Sequence, residues 1–128
     1  MRLSIRLLVL IISVMTCISG MMQMLNPGFV LNFIGAEITP ASSHFFGIVG
    51  MFMTLFGGLM IHALYSVHPN RVAVFWCALQ KLGAFVAVGL GIINEVFSMI
   101  AAGVAFFDLF SGLLFLYYLK TLKSGETA

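Results

Sequence analysis

Charged residues and Pro, Gly and Asn punctuation divide the chain into four apolar stretches, Leu7 to Leu25, Phe45 to Tyr65, Val72 to Ile93 and Val96 to Leu119. Each is close to the ~20 residues with which a helix crosses a bilayer, so the pattern dictates an all-α fold. Composition closes the alternative of a water-soluble domain. Only 8% of the 128 residues are charged and 62% are hydrophobic, whereas an ordinary soluble domain is roughly a quarter charged. The expected architecture is an integral membrane four-helix bundle, one transmembrane domain over residues 1–128 with spans of about 7–25, 44–66, 71–94 and 96–119.

Local signals set the ends of the spans. Asn26-Pro27-Gly28 stops the first, because Pro donates no hydrogen bond into a helix and Gly tolerates a left-handed exit. Thr39-Pro40 reads as an N-cap followed by proline at the first helical position, which starts the second helix ahead of its apolar core. Ser66 to Asn70, containing His68-Pro69-Asn70, is the next break, and Asn94-Glu95 leaves room for a tight helical hairpin alone. Residues 28–43 form the one sizeable loop. With Phe29, Val30, Leu31, Phe33 and Ile34 it is too apolar to float in water and is expected to lie in the outer interface. A cleavable signal peptide is the rival reading of the N-terminus, with Arg2 and Arg6 as its charged region and Cys17, Ser19 and Gly20 near a cut.

Orientation follows from positive charge. In a four-span topology Arg2, Arg6, Arg71, Lys120 and Lys123 share one side, and Glu37 and Glu95 the other. The positive-inside rule then places both termini in the cytoplasm, and the expected location is a bacterial inner membrane. Tyr65, Trp76, Tyr117 and Tyr118 all fall near the inner ends, where amphipathic rings favour the headgroup level. Net charge is +2 with no basic patch, which excludes nucleic acid as a partner.

Depth can be reckoned along each span at ~1.5 Å per residue. Lys81 lies about 15 Å in from Arg71, and Asp108 about 18 Å in from Lys120. A turn at Asn94-Glu95 places residues whose numbers sum to 189 at one level, as those of Lys81 and Asp108 do. Thr16 and Thr54 reach the same depth, so Thr16, Thr54, Gln80, Lys81 and Asp108 form a candidate polar layer at mid-membrane. A charge in hydrocarbon is costly, and both charges should face the bundle interior. Two readings stand: a neutralised pair that fixes helix register, or a ligand or proton site that opens. Ala101, Ala105, Asp108, Ser111 and Gly112 share a small-residue face on the fourth span, and Gly50, Thr54 and Gly58 make a small-xxx-small run on the second. Such faces let helices approach closely.

Other chemistry-bearing residues carry less. His44 and His62 stand about 27 Å apart on one helix and His68 belongs to the inner loop, so no metal or haem site is expected, nor any cofactor. His44, Glu37, Glu95 and Asn94 form a candidate polar cluster at the outer end, although solvated loop ends are the simpler account of them. Met21, Met22 and Met24 read as flexible apolar packing. Cys17 and Cys77 lie at different depths and read as small core residues. Phe106, Phe107, Phe110 and Phe115 surround the fourth span, as lipid contact and packing require.

From Gly47 to Leu119 the order of features resembles small bacterial four-helix membrane proteins of the DoxX-like kind: a glycine-rich second span, a Pro-containing inner loop, Lys81-Leu82-Gly83, then Asp108 followed by Leu113 to Leu119 and a basic tail. The resemblance implies a compact four-helix bundle, and some relatives are associated with quinone or sulfur redox complexes.

Three functions remain open. The first is a non-enzymatic subunit of a membrane complex, or a bundle that binds a lipophile such as a quinone, because a polar layer without nucleophile, base or metal set offers no catalytic apparatus. The second is proton- or ion-coupled transport by a dimer, with Lys81, Asp108 and Glu95 as relays. The third is an enzyme acting on a quinone or isoprenoid, which needs a pocket reaching Lys81 and Asp108. The expected partners are membrane lipids, a small lipophile, and either further copies of the chain or a larger membrane complex.

Overall fold

Asn26, Thr39 and Asn70 each accept a hydrogen bond from a backbone N–H three residues on, and a helix begins after each of them. A computed structural model describes residues 2–68 and 70–122, with backbone alone at residues 2 and 3. Its helices are α1 (Arg2–Leu25), α2 (Pro27–Phe33), α3 (Pro40–Tyr65), α4 (Arg71–Ile93) and α5 (Ala101–Thr121), with no strand among the described residues. Thr39 and Ser42 form a reciprocal capping box at the start of α3, with Pro40 at the first helical position. The missing N–H of proline costs nothing there, since the first turn has no intrahelical acceptor.

Helices α1, α3, α4 and α5 are long and apolar enough to cross a bilayer, and their outward faces are apolar. Ile18, Phe52, Leu55, Phe106 and Phe110 are all more than half exposed, a surface that suits lipid and not water. The chain is a multi-pass membrane protein built as a helical bundle.

The helices stand in a ring. α1 packs chiefly on α3 and α4 on α5, while α3 against α4 and α1 against α5 close the circuit. Among the described residues α1 and α4 have no close backbone approach, so they face each other across the bundle axis. Glycine sets the closeness of the first pair. A Cβ at Gly20 would stand 2.5 Å from the Gly50 carbonyl oxygen, and one at Gly57 would stand 2.6 Å from Cys17 Sγ and 2.8 Å from the Ser13 carbonyl oxygen. Gly58 has no neighbour within 4 Å and faces outward. The expected run of Gly50, Thr54 and Gly58 is therefore corrected to Gly50, Thr54 and Gly57. At 3.6 residues per turn, Gly58 has rotated about 80° from Gly50, and Gly57 only about 20°.

One expectation about the connections also changes. The link after α4 is no tight hairpin: residues 94–100 intervene, the last helix begins at Ala101 and not Val96, and Glu95 takes a left-handed conformation at φ 60°. The apolar segment after α1 leaves Phe29 and Phe33 exposed, while α2 turns Leu31 inward and Ile34 follows it. Both pack with Ala101, Val88, Ile92 and Phe97, and Ser98 donates from its backbone and its hydroxyl to the Ile34 carbonyl oxygen. The segment plugs the end of the bundle remote from the termini.

At the other end Ile5, Val9, Ile12, Met60, Leu64, Val74 and Phe115 form the larger core. Tyr118 belongs to it, at 8% exposure, whereas Tyr65, Trp76 and Tyr117 are exposed. Arg6 donates to the Leu64 carbonyl oxygen, and Arg71 to that of Leu119 at 2.9 Å. Each arginine so satisfies a carbonyl in the last turn of the neighbouring antiparallel helix, where the helix dipole favours a cation. The Arg2 side chain, Pro69 and Lys123, which entered the reading of breaks and orientation, lie outside the described residues.

Candidate functional site

Between the two apolar clusters lies a polar layer. Lys81 and Asp108 are 3% and 9% exposed, and the Lys81 ammonium stands 3.5 Å from Asp108 Oδ1. The same ammonium donates to Thr16 Oγ1 at 2.6 Å. Phe107 presents its ring 5.4 Å from Lys81 Nζ, a cation–π distance. Ser111 is fully buried on α5 and donates back to the Phe107 carbonyl oxygen, with no hydrogen bond to Lys81 or Asp108. Ser13 and Thr16 likewise donate to carbonyls four residues earlier, those of Val9 and Ile12. This habit satisfies a hydroxyl inside a helix and leaves its lone pairs free to accept.

Lys81 and Asp108 meet although the register differs from that expected. Gly112 is packed against Leu82, with a Cβ there 3.2 Å from Leu82 N, so numbers summing to 194 share a level at that contact. The seven-residue link 94–100 accounts for the shift. The long, flexible stem of lysine bridges the resulting offset.

Thr54 is not part of the layer. Its hydroxyl donates to the Gly50 carbonyl oxygen at 3.0 Å and lies 3.4 Å from that of Cys17, so it belongs to the α1–α3 seam. Gln80 lines a cavity of about 10 Å³ together with Ser13, Thr16, Cys77 and Lys81. Sequence reading missed Ser13 and Phe107 as neighbours of the pair. Ser13 lies three residues before Thr16, hence on the same helix face, and that spacing was available as a signal. Phe107 carried none.

At the end remote from the termini, Glu37 and Glu95 line one open groove of about 810 Å³ with Phe45, Phe46, Val49 and Phe97. His44 and Asn94 do not line it. His44 is exposed, with its ring edge-on to Phe45 at 6.2 Å, and Asn94 closes α4 by donating to the Leu90 carbonyl oxygen. The expected cluster of four therefore reduces to its two carboxylates. Cys17 and Cys77 are free thiols, placed against the carbonyl oxygens of Thr54 and Phe56.

No family model matches the chain, and no curated protein or solved structure matches it.

Proposed function

We propose that this protein is a non-enzymatic membrane bundle that binds a lipophile, of the quinone or isoprenoid size class, at the groove lined by Glu37, Glu95, Phe45, Phe46, Val49 and Phe97. The observation that carries this reading is volume. The groove is open and measures about 810 Å³, within the ~300 to 1,000 Å³ of ordinary small-molecule sites, whereas the cavity beside Lys81 measures about 10 Å³. A quinone ring cannot enter the second space, so chemistry on a lipophile at the ion pair loses its support. Both termini are assigned to the cytoplasm of a bacterium and the groove to the outer leaflet of its inner membrane, on the charge asymmetry of the loops. The DoxX-like resemblance agrees with a bundle that serves a larger membrane complex.

Purification in mild detergent followed by lipid mass spectrometry tests the reading. A lipophile retained by the wild-type protein and lost from Val49→Trp is the expected result. A wild-type protein that retains none, and that takes up no added ubiquinone or menaquinone, overturns it.

A further inference from the structure

Among the described residues, the end of the bundle remote from the termini carries two charged side chains, Glu37 and Glu95, and both line the open groove. Neither has a hydrogen bond or ion pair among the described residues. The described cations lie elsewhere: Arg6 and Arg71 reach the last turns of α3 and α5, Lys120 stands in the last turn of α5, and Lys81 is paired with Asp108. Two segments carry the acidic residues, and they are pinned together. Ser98 donates to the Ile34 carbonyl oxygen through its backbone N–H at 2.8 Å and its hydroxyl at 3.1 Å, and a Cβ at the left-handed Gly35 would stand 2.6 Å from Ser98 Cβ. Val96 and Phe97 both donate to the Gly91 carbonyl oxygen, which fixes the chain just after Glu95. Leu31, Phe45, Phe46, Val49, Val96 and Phe97 line the same groove.

We propose, resting on the reading of this groove as a lipophile site, that its ligand is a lipophilic organic cation, one positive charge carried on an apolar body. Charge complementarity gives the sign, because two carboxylates with no cation beside them attract a positive group and repel an anion. Three phenylalanines border the groove, and the negative face of an aromatic ring adds to the attraction. A bare metal ion is a poorer match. No group of three His, Cys, Asp or Glu among the described residues could hold one, and a hard cation such as calcium takes about six to eight oxygen ligands. A small hydrophilic ammonium would bury none of the apolar lining, and an exposed ion pair by itself strengthens binding by a factor of about five at most. The apolar body supplies the rest through burial. A zwitterionic phospholipid brings a phosphate for which the groove has no positive partner.

Tetraphenylphosphonium and tetraphenylborate share size and shape and differ in the sign of their charge, so the pair tests sign apart from lipophilicity. Equilibrium dialysis against the full chain in phosphatidylcholine nanodiscs, with empty nanodiscs as the blank, measures both. The phosphonium should bind above the blank and the borate should not. Replacing both carboxylates, Glu37→Gln with Glu95→Gln, should weaken phosphonium binding roughly tenfold, and thermal unfolding should stay that of the wild type because both side chains are exposed. Equal binding of the two ions, preference for the borate, or undiminished phosphonium binding in the double variant overturns the cationic ligand. Should the double variant fail to fold, the comparison of the two ions in the wild type decides. If neither ion binds but the protein retains a lipophile that Val49→Trp loses, the cation is refuted and the groove stands. If neither ion binds and no lipophile is retained, the groove itself is refuted.

Discussion

The Lys81 ammonium donates to the Thr16 hydroxyl across 2.6 Å, and this bond joins α4 to α1, two helices that face each other over the bundle axis without close backbone approach. Each is packed tightly on a different neighbour, α1 on α3 and α4 on α5. The bond therefore ties one helix pair to the other, while the ion pair with Asp108 lies within the second. A lysine stem is long enough for such a span, and the threonine hydroxyl can accept because its own proton goes to Ile12.

Thr16→Val should weaken the bundle while Thr16→Ser should not. Valine matches the shape of threonine but leaves a buried ammonium short of an acceptor, a loss of about 1 to 3 kcal/mol. Thermal unfolding in detergent reads the difference, and equal stabilities of the Thr16→Val variant and the wild-type protein would show that the diagonal bond contributes nothing.

Lys81→Met and Asp108→Asn should each cost ~3 to 5 kcal/mol, because each strands a buried group whose partner has gone. The double variant should cost far less than their sum. A double-mutant cycle measures that coupling, and additive losses would mean that the two side chains act independently.

Gly57→Ala and Gly58→Ala separate the packed glycine from its lipid-facing neighbour. A Cβ at Gly57 collides with Cys17 and Ser13, whereas one at Gly58 meets nothing within 4 Å. The first should destabilise by about 1 to 3 kcal/mol, as overpacking does, and the second should be neutral or slightly stabilising through helix propensity. Comparable losses at both positions would contradict the rotation of α3.

Topology reporters fused to the C-terminus should report a cytoplasmic location, as the one-sided arginines and lysines require. A periplasmic C-terminus would invert the bundle and move the Glu37–Glu95 groove to the inner leaflet.

The sequence by itself determined how many helices are long and apolar enough to cross a membrane, and where most of them begin. Those properties are local: the apolar run sets the length of a span, and a side-chain cap at Asn26, Thr39 or Asn70 is decided within four residues. What it did not determine was rotation and neighbourhood. Thr54 was expected in the polar layer but points into the α1–α3 seam, and Gly57 replaced Gly58 at the helix contact. One residue turns a helix by about 100°, so a small shift of register moves a side chain to another face. Which face is inward depends on the ring order of the helices, and that order also decided that Lys81 reaches Thr16 across the axis. Residues 94–100 show the same limit, since their conformation rests on contacts with Ile34 and Gly35 far away in sequence. Only tertiary packing fixes such contacts, because they belong to two segments at once.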